Sequence, residues 1–100
     1  MPSRNAPHAT PTDSWTFLTN HAHVLVLLSR NPDRRLREVA VEVGITERAV
    51  QLIVRDLSRA GFLDIEKSGR NNIYTVKPER PLRHPIEAHR SVADLLRILK

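Results

Sequence analysis

The sequence predicts a mainly α domain with one small β-hairpin: a three-helix core, a hairpin and an added C-terminal helix. Three observations predict it. Apolar residues recur at helical spacing in three consecutive segments between Asn20 and Ala60. Two short runs that follow alternate apolar and polar residues with period two. The chain has only three glycines, and they fall at the joints: Gly44 between two amphipathic segments, Gly61 where helical spacing gives way to alternation, and Gly69 between the alternating runs. Their order reads as interhelical turn, helix C-cap and hairpin tip, places where a backbone needs positive φ or close approach.

Each element has its own local signal. Asn20 to Arg30 reads as the first helix, with Thr19 or Asn20 as its cap and Ala22, Leu25, Val26 and Leu28 on its buried side. Asn31-Pro32-Asp33 is a turn, and Asp33 is placed to cap the next helix. That second helix is expected from about Arg34 to Val43, with Leu36, Val39, Ala40 and Val43 on one face. Gly44-Ile45 turns the chain, Thr46 is a good N-cap, and the third helix runs from Glu47 to about Ala60. Its inward face carries Val50, Ile53, Val54 and Leu57. Phe62 to Lys67 and Ile73 to Lys77 are the two strands, joined by a loop of turn formers from Ser68 to Asn72. Pro78, Pro81 and Pro85 then make an extended connection to a final helix, expected from about Ile86 to Lys100. Residues 1–14, rich in Pro, Ala, Thr and Asn, read as a flexible tail, with order beginning near Trp15.

Composition bounds the rest. One hundred residues support one domain with one small core, and 40% hydrophobic with 27% charged residues is an ordinary globular balance. The absence of cysteine removes disulfide and thiolate chemistry and fits a reducing cytoplasm. No apolar run approaches the roughly 18 residues of a membrane span, and the N-terminus lacks the apolar stretch of a signal peptide. The net charge of +5 suits an acidic partner. Its distribution is uneven: residues 30–66 hold seven basic and seven acidic residues, whereas residues 67–100 hold eight basic against three acidic. The excess therefore lies in the hairpin tip and beyond. Thirteen arginines against three lysines hint at a GC-rich bacterial genome.

The order helix, helix, turn, helix, hairpin is that of a winged helix-turn-helix. The segment from Leu36 to Leu57 resembles the helix-turn-helix of MarR-type and ArsR-type bacterial transcription regulators. Ala40, Gly44 and Val50 match the spacing of those families: Ala40 lets the two helices approach, Gly44 makes the sharp turn and Val50 plugs the angle. Leu57-Ser-Arg-Ala-Gly61-Phe-Leu matches their entry into the wing. The resemblance covers roughly residues 18–77 and leaves the tail and last helix outside. It implies a nucleoid-associated regulator that inserts the third helix into the major groove of double-stranded DNA and lays the wing along an adjacent groove.

The residues themselves agree. With the apolar face inward, the third helix turns Glu47, Arg48, Gln51, Leu52 and Arg55 outward, and residues near the N-terminus of such a helix reach base edges. Arg48 suits guanine O6 and N7, Gln51 suits adenine N6 and N7, and an exposed Leu52 suits a thymine methyl. Arg55 lies further along, where position decides reach. Thr46 caps the helix, touches a phosphate, or both. For Glu47 three roles are open: accepting from cytosine, pairing with an arginine, or complementing the helix dipole. On the wing, Lys67 and Arg70 are placed for phosphates or, for Arg70, a narrow minor groove. Asn71 and Asn72 are either backbone contacts or plain turn formers. Arg34, Arg35 and Arg37 are phosphate candidates, with a solvated helix face as the alternative.

The stripe Ile86, Val92, Leu95, Leu96 and Leu99 either folds back on its own domain or pairs with a second chain. Paired half-sites favour a C2 homodimer through residues 86–100. Trp15 and Phe17 either cover the same region or pack in the core. His21, His23, His84 and His89 lack the i, i+4 spacing of a helical chelate, so no metal or other cofactor is expected. Neither a nucleophile–base arrangement nor a phosphate-binding glycine loop is present, so no enzyme is expected. No effector cavity is legible. Two other functions fit the same fold: a winged helix used for protein–protein contact, and non-specific nucleoid or RNA binding.

Overall fold

Thr19 opens the first helix: its hydroxyl accepts the Ala22 N–H at 3.2 Å and starts α1 (Asn20–Arg30). The computed structural model describes residues 15–100, so the expected tail of residues 1–14 lies outside the described residues. Val24 to Leu28 are all buried, because α1 packs against α2, α3 and the second strand at once. α2 (Leu36–Val43) begins two residues later than its periodicity suggests, and Asp33 does not cap it; Arg35 holds the N-cap position without a side-chain bond. The cause is tertiary. Arg34 N–H closes a turn on Asn31 O at 3.1 Å, and Pro32 O accepts Tyr74 N–H at 2.8 Å, which commits residues 31–34 to the hairpin edge. α2 ends at Gly44, whose φ of 88° is left-handed. There the N–H groups of Gly44 and Ile45 both reach Ala40 O, at 2.8 and 3.1 Å, a close that side-chain-bearing residues adopt only at a cost. Thr46 then caps α3 (Glu47–Arg59), accepting Ala49 N–H at 3.0 Å. Val50 and Ala40 are buried where α2 and α3 meet.

β1 (Leu63–Ser68) and β2 (Asn71–Val76) pair antiparallel from Leu63↔Val76 to Ser68↔Asn71, leaving Gly69-Arg70 as a two-residue turn. The five-residue loop expected from sequence is therefore too long: Asn71 and Asn72 belong to β2. Gly69 takes φ 62° at the first turn position while Arg70 keeps a negative φ, the pattern of a type II′ turn whose twist lets pairing continue to its edge. Phe62, Leu63 and Tyr74 anchor the hairpin in the core, and every β1 residue beyond Leu63 is exposed, so the wing projects from its root. Lys77 N–H closes that root on Phe62 O at 2.9 Å.

The C-terminal segment departs most from expectation. No helix starts at Ile86. Residues 81–91 form a loop whose ends are pinned together by Leu82 N–H to Arg90 O at 2.9 Å and Val92 N–H to Arg80 O at 2.8 Å. Only then does α4 (Val92–Ile98) begin, and it begins on a capping box. Asp94 N–H donates to Ser91 Oγ at 3.3 Å, and Ser91 N–H donates to Asp94 Oδ2 at 3.0 Å. α4 folds back on the domain: Val92 is 1% exposed within the core, with Leu82 and Leu96 packed against it. Arg30 Nη2 ties the far end by donating to Leu99 O at 2.6 Å. The core is otherwise apolar, with no buried charged residue among the described residues. The fold is a winged helix-turn-helix with an added short helix.

Candidate nucleic-acid interface

α3 is amphipathic because its apolar residues fall three and four apart; burying Val50, Ile53, Val54 and Leu57 leaves the opposite side to water. That side carries Arg48, Gln51, Leu52 and Arg55 as one i, i+3, i+4, i+7 stripe. Arg48, Gln51 and Arg55 are exposed; Leu52 is half-buried rather than fully outward. Arg48 Nη1 donates to Gln51 Oε1 at 3.5 Å, so the first two members of the stripe touch. The Thr46 hydroxyl is occupied as the cap, and Glu47 sits exposed in the first turn, where a carboxylate complements the positive end of the helix dipole.

The cations on the other elements divide into occupied and open. Arg34 is paired with Glu42 along α2. Lys77 pairs with Asp64 at 3.0 Å and Arg97 with Asp94 at 3.0 Å. Arg80 donates to Ala60 O at 3.3 Å, closing the end of α3, and lies 5.7 Å from the centre of the Phe62 ring. The charge excess of residues 67–100 is thus partly spent inside the molecule. Arg35, Arg37, Arg48, Arg55, Lys67 and Arg70 take part in no ion pair among the described residues, and all six are exposed. Asn71 is exposed at the turn, whereas Asn72 is half-buried with Nδ2 3.4 Å from the Tyr74 hydroxyl.

α3 has one further tether. His21 Nε2, at the start of α1, lies 2.9 Å from Asp56 Oδ2. That hydrogen bond, foremost, holds the Asp56 carboxyl below its ordinary range, with Arg55 and Arg59 adding to it. Sequence reasoning missed this pair because 35 residues separate its members. The histidines take other partners as well: His23 Nδ1 lies 3.3 Å from Asn20 Oδ1, and His84 Nδ1 accepts Ile86 N–H at 3.1 Å. No group of three or more His, Asp or Glu among the described residues is disposed to hold a metal.

Of the residues assigned to a dimer from sequence, Ile86 stands 77% exposed, Val92 is sealed in the core, and Leu95, Leu96 and Leu99 are half-buried. Trp15 and Phe17 are not core residues. They stack edge to face at 4.9 Å and stand 72% and 91% exposed. Phe17 borders an open groove of about 420 Å³ lined by Leu25, Leu57, Leu82 and Leu95. No helix among the described residues is long and apolar enough to cross a membrane.

No family model and no curated protein matches the sequence. Solved structures do. The chain is similar to the PcaV transcriptional regulator from Streptomyces coelicolor, solved with its natural ligand, at 25% identity and TM-score 0.53 over 64% of this chain and 48% of that one. It is similar to a MarR family protein of Mycobacterium tuberculosis complexed with salicylic acid, at 30% identity and TM-score 0.51 over 60% and 47%. A zinc-dependent MarR family regulator, AdcR in its Zn(II)-bound state, matches at 25% identity and TM-score 0.50 over 69% and 49%. The chain spans about half the length of these proteins. The likeness supports a winged helix-turn-helix of the regulator type.

Proposed function

We propose that the chain is a sequence-specific double-stranded DNA-binding transcription regulator, with α3 in the major groove and the wing on an adjacent groove or the backbone. The observation that carries this reading is the open cationic stripe: Arg48 and Arg55 flank Gln51 on the outward face of α3, without intramolecular ion pairs among the described residues. A guanidinium without a carboxylate partner on the exposed face of such a helix is suited to phosphate or base contact. Arg35, Arg37, Lys67 and Arg70 supply further phosphate contacts, with Asn71 beside them; Arg34 and Asn72, already engaged within the fold, are secondary. Thr46 and Glu47 hold the start of the reading helix.

The chain acts as a C2 homodimer in this proposal, because helix-turn-helix readers occupy paired half-sites. Its contact surface differs from the stripe legible in sequence. Val92 belongs to the core, so exposed Ile86, Ile98, Trp15 and Phe17, with half-buried Leu95 and Leu99, are apolar groups near the C-terminal extension and the start of the domain that meet a second copy in this proposal. Residues 15–80 are the reading unit and residues 81–100 its C-terminal extension. Titrating the protein into a random duplex pool at several salt concentrations, and sequencing the bound fraction, tests the proposal. An enriched palindrome with half-sites about one helical turn apart is the expected result. Salt-sensitive binding without enrichment would replace it with an architectural role, and absence of binding at low salt would hand α3 to a protein partner.

A further inference from the structure

Local structure holds two aromatic side chains out in solvent. The Thr16 hydroxyl donates to Leu18 O at 2.6 Å, Leu18 is half-buried, and the Thr19 cap starts α1 just beyond. The bend presents Trp15 and Phe17 together, edge to face at 4.9 Å, as a short ridge. At 91% exposure the Phe17 ring does not fill the groove it borders.

That groove matches the ridge in character. Buried Leu25 and Leu57 form its floor, half-buried Leu82 and Leu95 its walls, around a space of about 420 Å³. Asp56, Arg83 and Glu87 stand among its polar lining. An apolar centre within a polar rim is the anatomy of a protein interface. The groove meets α3 through Asp56, Leu57 and Ala60, in the C-terminal half of the helix, so an occupant leaves Arg48 and Gln51 open to DNA. Ridge and groove lie side by side. A two-fold axis passing between them makes such a surface complementary to itself, each ridge entering the groove of the other copy. The area suffices. A buried aromatic side chain covers roughly 150 Å² or more. With both copies and the groove walls included, the contact reaches roughly 1,200 Å², where specific interfaces begin.

We infer that the Trp15–Phe17 ridge of one chain docks between Leu25, Leu57, Leu82 and Leu95 of a second copy, and reciprocally, so that each dimer holds two ridge-in-groove contacts. The inference rests on the homodimer proposed above and names its contact.

Trp15 is the chain's one tryptophan, so its emission reports the contact. Sedimentation of the full chain over a concentration series should show a monomer passing to a dimer, with Trp15 emission moving to shorter wavelength over the same range. F17A removes the ridge at an exposed position. A22L fills the groove, because Ala22 lines it half-buried on α1 and leucine is a good helix former. Each variant, checked first for an unchanged thermal melt, should raise the dimer dissociation constant at least about tenfold. F17A keeps the groove and A22L keeps the ridge, so mixing them rebuilds one of the two contacts. The mixture should associate more tightly than either variant alone. A dimer that forms without the emission shift, that both variants leave unchanged, or that mixing fails to restore overturns the inference and moves the homodimer to another surface. A monomer at every concentration overturns the inference and the homodimer together, while the duplex selection still decides whether α3 reads DNA.

Discussion

Burial separates side chains that look alike in composition. Leu28 is 0% exposed at the centre of the core, whereas Ile86 stands in solvent on the 81–91 loop. Truncating a buried leucine removes its transfer free energy and leaves a cavity, so Leu28→Ala should cost about 2–5 kcal/mol, read as a lower urea midpoint at unchanged slope. Ile86→Ala has no cavity to create, and its effect on the monomer should stay within about 0.5 kcal/mol. If Ile86 belongs to a dimer contact, its truncation should instead lower the protein concentration dependence of the melting temperature; an unchanged dependence would remove Ile86 from that contact. At the start of the reading helix, Thr46→Ala takes the acceptor from Ala49 N–H. A cap of this kind contributes about 1 kcal/mol, so the variant should unfold more readily, and a stability equal to that of the parent would leave Thr46 no structural role.

Elements differ in how much of their origin is local. α1 and α3 were legible because each start is signalled by a threonine cap and each length by unbroken periodicity. α2 starts later than its periodicity suggests because Asp33 is a sound local cap that tertiary structure overrides: Pro32 O serves β2, and residues 31–34 close a turn of their own. α4 was misread for the opposite reason. Its signal, Ser91-x-x-Asp94, is present as a capping box, but the expected helix runs over it from Ile86, through a loop whose ends are pinned by backbone bonds from Leu82 to Arg90 and from Val92 to Arg80. The outward stripe of α3 was legible from spacing; the Arg48–Gln51 contact and the His21 tether were not, since each depends on side-chain placement. The capping box gives α4 a pH dependence. Hydrogen bonding from Ser91, then from Arg97, holds the Asp94 carboxyl below its ordinary value of 3.8. A carboxyl depressed in the folded state stabilises it above the unfolded value, and that contribution disappears as pH falls through the folded value. Asp94→Asn should therefore lower stability at neutral pH, and its difference from the parent should shrink to nothing in acid below pH 3.8. Paired melts across that window check the sign; a constant difference would assign Asp94 a role independent of its charge.

At the scale of the whole molecule, the 16 lysines and arginines overstate what is available to a polyanion. Lys77 and Arg97 are neutralised by Asp64 and Asp94, Arg34 by Glu42, and Arg80 is laid over Phe62 with a bond to Ala60 O. These cations hold the hairpin root, α4, α2 and the end of α3. Arg35, Arg37, Lys67 and Arg70 have no such duty among the described ion pairs. Salt dependence distinguishes the two groups, because each phosphate neutralised on duplex DNA adds about 0.9 to the slope of log affinity against log salt. Arg70→Ala, at the wing turn, should weaken binding across all sequences alike and lower that slope by about one unit per reading head. Arg97→Ala should leave the slope where it was, since its guanidinium already faces Asp94 at 3.0 Å. Its effect, if any, should fall on stability. Measuring both variants by anisotropy on one duplex from 50 to 200 mM salt separates a wing that rests on phosphates from a chain that binds through net charge alone. Equal slope changes for the two variants would mean that position is irrelevant, and with it the winged-helix geometry as the basis of binding.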